Sequence, residues 1–420
     1  MTSTSNEITQ NEIENIYGYK DDYDNTSEQT ILLKKRNVAD EKGEDCGSNS
    51  VIEIEIENKV KPKRVYWVDW LRVFASILVV YIHVSYMNID RGKVKEAKWN
   101  KLFIHNSLPR HCVPIFVTIS GIFFLNPNKE LALKKLYVKN ILHMVKSLYF
   151  WGLIYATIDN YVIKFKFEFN KNVMKNILDN IIMPGGHFWY LYFVIGLYIK
   201  TPLYRCLTKE RNIAWYTVVI AMIYGQLIPT IDRITNDFFH FGIPYLMAYH
   251  RKVCVEFFGN YSVYYLLGYL LYTHEFTKKS TIKIICIIGF VSQIITVIFR
   301  FIECFIKNKE ANDFGEYNSL FVSLTTIGTY VYFKYYVSEF IEPLMEKRKI
   351  KTIILKLSEC SFGVYLVHMI VFNFFNYCLH FSPITFDPLW FTPIYTVIIY
   401  IISFLVIYLL RLIPIFKQVT

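Results

Sequence analysis

The sequence predicts an all-α, polytopic integral membrane protein of about ten transmembrane helices. Three observations carry this expectation. Of 420 residues, 53% are apolar and 18% aromatic; mean hydropathy is positive; and runs of roughly twenty mainly apolar residues recur along the chain. Each run matches the length an α-helix needs to cross about 30 Å of hydrocarbon. The formal net charge of +11 would suit a nucleic-acid binder. Lys and Arg gather instead in short segments between apolar runs, where they meet anionic headgroups and orient the spans. Membrane lipids are therefore expected partners and nucleic acid is not.

Residues 1–58 are rich in Asn, Glu, Asp, Ser and Thr and lack the basic-then-apolar start of a cleaved signal peptide. They are expected to form a disordered, polar, cytosolic region. Within it the alternating stretch Val51–Glu57 has the pattern of a strand, but as an isolated acid–aliphatic segment it is expected to remain solvated or to contact a partner. Lys59, Lys61, Lys63 and Arg64 then abut the first span of a membrane domain covering 59–420. Spans are expected at 65–87, 109–126, 141–163, 187–204, 212–231, 254–272, 282–302, 317–337, 357–379 and 391–413. An even count puts both termini on one side, and the basic cluster marks that side as cytosolic. Loops on this side carry Lys129, Lys134, Lys135, Lys139, Lys200, Arg205, Lys209, Arg211, Lys347, Arg348 and Lys349. The first outer loop also has Arg91, Lys93, Lys95, Lys98 and Lys101, which either blunts the asymmetry or attracts an anionic acceptor.

The first span carries the chemistry. Arg72 and His83 are separated by ten residues, and eleven helical steps of about 100° return to within roughly 20° of the start. Both side chains thus share one face, about 16 Å apart along the axis, and Asp69 lies one turn before Arg72 on the same side. Arg72 alone also fits a residue that snorkels to the headgroups. An acid, a base and a titratable ring on one stripe of an apolar helix point to function instead. The eight cysteines, Cys46, Cys112, Cys206, Cys254, Cys286, Cys304, Cys360 and Cys378, have no paired spacing and read as small core residues. No His or Cys cluster has zinc-site spacing, His105 and His111 included, so no metal is expected.

Several segments carry a family resemblance. Tyr66-Trp67-Val68-Asp69-Trp70-Leu71-Arg72, ending in His83, resembles the first-span signature of the acyltransferase 3 family, with Arg or Lys, ten residues, then His. Pro114-Ile115-Phe116-Val117-Thr118-Ile119-Ser120-Gly121 is similar to its second-span segment, a Phe-bearing run ending in Ser-Gly. His187-Phe188-Trp189-Tyr190-Leu191 followed by Pro202-Leu203, and Ser361-Phe362-Gly363-Val364-Tyr365-Leu366-Val367-His368, resemble its fourth-span and late motifs. The resemblance covers 64–413. One departure stands out: many relatives have Arg-x-x-Arg at the start of the third span, where Asn140 and His143 stand here.

Members of that family are membrane enzymes that O-acylate surface carbohydrates and other acceptors. The resemblance implies transfer of an acyl group, commonly acetyl, from cytosolic acyl-CoA to an acceptor hydroxyl presented across the membrane, as in surface polysaccharide O-acetylation. Acyl-CoA is then a co-substrate, with no permanently bound cofactor, and the acceptor is a carbohydrate or lipid-linked molecule. In this reading Arg72, with Lys135 and Lys139 in place of the missing arginines, binds donor phosphates. His83 is the catalytic residue, either general base or transient acyl carrier. Asp69, Ser120, Gly121, His187, Trp189, Tyr365 and His368 support the site. Several have a plainer alternative: helix packing for Ser120-Gly121, interfacial anchoring for His187 beside Trp189, a buried structural hydrogen bond for Tyr365 and His368. The competing function is a transporter or acyl-group exporter in which the polar stripe is a pathway.

Overall fold

The computed structural model describes residues 29–35, 52–58, 64–87, 89, 94, 96–158, 171–253 and 261–420. Two compact units, 1–65 and 66–420, divide the chain. In the first, strands β1 (Gln29–Lys35) and β2 (Ile52–Asn58) pair antiparallel, Gln29 opposite Asn58 and Lys35 opposite Ile52. The alternating stretch, expected to stay solvated or to contact a partner, instead pairs with β1 as a strand over Ile52–Asn58, the form its period-2 pattern of Ile and Glu allows once a second strand is at hand. The rest of the polar region, with Lys59, Lys61, Lys63, Cys46 and Val51, lies outside the described residues.

The second unit is all-α. Among the described residues, eight helices are long and apolar enough to cross a membrane: Tyr66–Tyr86, Ala97–Phe124, Leu133–Ile158, Ile177–Lys209, Arg211–Phe239, Lys279–Lys307, Arg348–Cys378 and Pro388–Leu410. The chain is therefore a multi-pass membrane protein. Two of the ten expected spans fall short on these criteria. The span expected at 254–272 is a twelve-residue helix, Ser262–Thr273, and its first part, 254–260, lies outside the described residues. The span expected at 317–337 begins as a helix, Leu320–Tyr332, passes through a π-turn and continues as Ser338–Glu346, with Lys334 lowering its apolarity.

Only some helices position the site. We label them α1 (Tyr66–Tyr86), α2 (Ala97–Ser107), α3 (Cys112–Phe124), α4 (Leu142–Ile158), α5 (Trp189–Lys209), α6 (Ser262–Thr273), α7 (Lys279–Lys307), α8 (Arg348–Asn373) and α9 (Pro388–Leu410). α1 is central: 67% of its apolar window is buried inside the protein, against 22% for α7 and 33% for α9, which turn Ile, Val and Leu side chains outward as lipid-facing helices do. α2 and α3 together form the second crossing, so Lys98 and Lys101 are helical rather than in the first outer loop as expected, and Lys101 pairs with Asp387 at 2.5 Å. Arg91, Lys93 and Lys95 lie outside the described residues.

A close crossing locks α3 to α6. A Cβ on Gly121 would fall on the Tyr265 carbonyl oxygen, and one on Gly268 on the Thr118 carbonyl oxygen, so only glycine lets these backbones meet. Partner residues give the helix directions. Ser358 and His368 of α8 lie against Asp69 and His83 of α1, so these two helices run parallel. Phe123 lies by Arg72 while Asn106 reaches Ile82, so the second crossing runs antiparallel to α1.

Candidate active site

α1 presents Arg72 and His83 to one cavity of about 480 Å³ bounded by α1, α2, α3, α5 and α8. At one end Asp69 is buried, 4% exposed. Its Oδ1 accepts from Ser358 Oγ at 2.6 Å and lies 3.7 Å from Arg72 Nη1, which also donates to Ser358 Oγ at 3.1 Å. The carboxylate thus holds the guanidinium by charge and through a shared hydroxyl. The Arg72 guanidinium sits 5.6 Å from the centre of the Phe123 ring, and its side chain keeps 27% exposure at the cavity wall.

Three imidazoles meet toward the other end. His83 lies 5.1 Å from His368 and 6.2 Å from His187, ring centre to ring centre, and His187 and His368 are 5.4 Å apart. His368 Nδ1 is 2.7 Å from the Tyr365 carbonyl oxygen and 3.2 Å from that of Val364. Carbonyls only accept, so this network assigns the His368 proton to Nδ1 and the lone pair to Nε2. Nε2 of His368 and Nε2 of His187 are buried with no hydrogen-bond partner among the described residues. His187 is brought in by a tight turn in which Gly186 takes φ +61°, a backbone conformation that favours glycine. The Tyr365 hydroxyl donates to the His187 carbonyl and latches that turn.

The residues singled out from sequence thus divide. Arg72, His83, Ser120, His187, Trp189 and Tyr365 line the cavity, with Asp69 behind Arg72 and His368 against His83. Ser120 and Gly121 separate: Ser120 reaches the cavity while its hydroxyl donates to the Phe116 carbonyl at 3.0 Å, and Gly121 sits in the helix crossing. Trp189 stacks on Tyr317 at 5.8 Å. Lys135 and Lys139 do not join Arg72 in the cavity wall; both are exposed. Lys135 precedes and Lys139 lies within a π-turn, Leu136–Ile141, whose apolar residues Leu136 and Ile141 pack on Val194 and Tyr198 while both lysines stay exposed. His143 Nδ1 lies 2.9 Å from the Gln418 carbonyl oxygen.

Sequence reasoning missed Arg110, Asn106, Asn312 and the tyrosines Tyr190, Tyr198 and Tyr317, all of which line the cavity. For Arg110 a signal existed. It falls inside the span expected at 109–126 and meets the criterion that singled out Arg72, an ionisable group in an apolar run. Among the described residues, the one set of three carboxylate, His or Cys ligand atoms that converges is Asp237, Glu303 and Asp313. The Lys307 ammonium sits among them at 3.1, 2.8 and 2.7 Å, which makes the group an ion-pair network.

A family model described as an acyltransferase domain matches residues 65–410. The chain belongs to the acyltransferase 3 family. Comparison with curated proteins and with solved structures returned no match. As a member of that family the protein is a membrane acyltransferase, and the matched region contains every cavity-lining residue.

Proposed function

We propose that this acyltransferase moves an acyl group, acetyl foremost, from cytosolic acyl-CoA to a hydroxyl of a carbohydrate or lipid-linked acceptor on the far side of the membrane. One observation carries the reading: Arg72 and His83 line one cavity from a single helix, about 16 Å apart along its axis, a separation that a pantetheine arm bridges. Arg72 meets the donor phosphates at the cytosolic mouth, held by Asp69 and Ser358. Lys135 and Lys139, outside the wall, raise the positive potential that draws in the polyanionic donor.

In the transfer the acceptor hydroxyl oxygen attacks the thioester carbonyl carbon while His83 takes the hydroxyl proton. A C–O bond forms, the C–S bond breaks, and the proton leaves on the CoA thiol. If His83 is instead acylated first, an imidazole N–C bond forms as the C–S bond breaks, then the acceptor C–O bond forms as the N–C bond breaks, and the hydroxyl proton is balanced by that taken up on the CoA thiol. Labelled acetyl-CoA without acceptor separates these schemes, since only the second leaves label on the protein.

The test of the reading compares parent and His83→Ala membranes carrying equal protein. Loss of a general base lowers transfer by about 10² to 10⁴, whereas insertion is unharmed because a polar ring has left an apolar span. Near-parental transfer by well-inserted His83→Ala overturns the assignment. Movement of unmodified substrate without label transfer supports export instead.

A further inference from the structure

At the His83 end of the cavity two guanidinium groups are buried side by side. Arg110 is 8% exposed and lines the cavity. Its Nε donates to the Asn106 carbonyl at 3.1 Å and its Nη2 to Asn106 Oδ1. Both bonds go to one residue of α2. Arg300, fully buried, donates from Nη2 to the same Oδ1 at 3.1 Å and from Nη1 to Ser107 Oγ. Its guanidinium carbon lies 4.4 Å from the centre of the Phe103 ring. Asn106 Nδ2 donates to the Ile82 carbonyl at 3.1 Å, one residue before His83, so the same amide that orients Arg110 fixes it at the imidazole's level.

Among the described residues neither guanidinium has a carboxylate in ion-pair range. Glu303 is held by Lys307 at 2.8 Å, Glu316 accepts from Asn312 at 2.6 Å, and Glu310 borders the cavity half-buried. Two like charges sharing one neutral amide in a low-dielectric interior are costly, and a buried charge without a counter-charge is costlier than the pair it replaces. An incoming anion removes that cost and gains charge-assisted hydrogen bonds from a planar fork.

We propose that this is an oxoanion subsite and that the acceptor is anionic, carrying a carboxylate or phosphate on the same sugar as the hydroxyl to be acylated. The word acceptor rests on the transfer reading above; the anion site does not. Arg110 binds the anion with Arg300 behind it, which orients the sugar with its hydroxyl toward His83. Glu310, Glu316 and Glu303 act on the two guanidiniums only from beyond ion-pair range, so a neutral sugar of the same shape leaves both without a paired anion and is disfavoured.

The test uses the full chain in lipid nanodiscs and three probes of similar size: methyl β-D-glucoside, methyl β-D-glucuronide and glucose 1-phosphate. Binding is read from tryptophan fluorescence, because Trp189 lines the same cavity, with Trp189→Phe as the control that loses the signal. The parent is expected to bind at least one anionic probe about tenfold or more tightly than the glucoside. The preferred anion tells uronate from phosphate. Arg110→Gln is expected to bring that ratio to about one with glucoside binding kept, and Arg110→Lys to retain part of it. Equal binding of all three probes by the parent overturns the proposal, as does an Arg110→Gln protein that weakens all three alike. The same preparations given labelled acetyl-CoA distinguish the two readings. An Arg110-dependent anion preference with no label on any sugar sinks acyl transfer and leaves the site standing. Label on the glucoside as readily as on the anions does the reverse.

Discussion

At the residue scale, what distinguishes Arg72 from a headgroup anchor is its partnership. A snorkelling arginine extends its charge into water, whereas Arg72 is tied to buried Asp69 directly and through Ser358, a residue 286 positions away. This arrangement costs conformational freedom and is repaid by a guanidinium fixed at the mouth of the cavity. Arg72→Lys is expected to keep partial acyl transfer with weakened donor saturation, because charge survives but the planar fork does not. Arg72→Ala is expected to lose far more. Saturation curves in acetyl-CoA check this, and an Arg72→Ala enzyme with parental donor affinity removes Arg72 from the donor site.

At the element scale, the α3–α6 crossing sets the cavity. It brings the backbones of Gly121 and Tyr265, and of Gly268 and Thr118, into contact, and leaves Ser120 and Phe116 of α3 lining the cavity. Gly121→Val is expected to lose about 1–3 kcal/mol or more, since a carbonyl in a packed helix has nowhere to go. Gly196→Ala in α5, where nothing lies within 4 Å of an added Cβ, is expected to be neutral or mildly stabilising. Thermal unfolding of the two proteins in one detergent reads the contrast; equal melting temperatures refute the packing argument. The π-turn before α4 gives a second test. If Lys135 and Lys139 attract the donor through the field they add at the mouth, their replacement together by Ala raises the apparent KM for acyl-CoA several-fold, an effect that shrinks at high salt. His143→Ala, which loses a contact to the Gln418 carbonyl, should leave that KM unchanged.

At the scale of the whole membrane unit, both ends of the chain after 65 come to the Arg72 end of the bundle. The Lys351 ammonium lies 5.3 Å from the Tyr66 ring centre, and Arg411, just past α9, donates to the Glu359 carbonyl at 2.6 Å, next to the Ser358 that serves Asp69. A chain that starts and finishes at one end has crossed an even number of times. Accessible tags placed within residues 1–58 and after Thr420 are therefore expected on the same side, and from the basic cluster before the first span that side is expected to be the cytosolic one. Protease protection in sealed vesicles checks this, and tags on opposite sides would contradict both the even count and the donor-side assignment of Arg72.

Much of this protein was legible in the residues themselves because it depends on short-range rules. Apolar run length sets helices in a membrane, and a spacing of eleven sets Arg72 and His83 on one face of α1 whatever surrounds it. Sidechain partners across the bundle obey no such period. That His368 and His187 meet His83, that Ser358 bridges Asp69 and Arg72, and that Gly121 serves a helix crossing while its neighbour Ser120 faces the cavity were decided by how distant helices pack. The same holds for Lys135 and Lys139, drawn out of the cavity wall by the apolar residues between and beside them, and for Arg110 and Arg300. Each is a lone charge at the edge of an apolar run, and only the tertiary structure joins them on one asparagine beside the imidazole, because the packing of α2 against α1 and α7 brings Asn106 Oδ1 within reach of both.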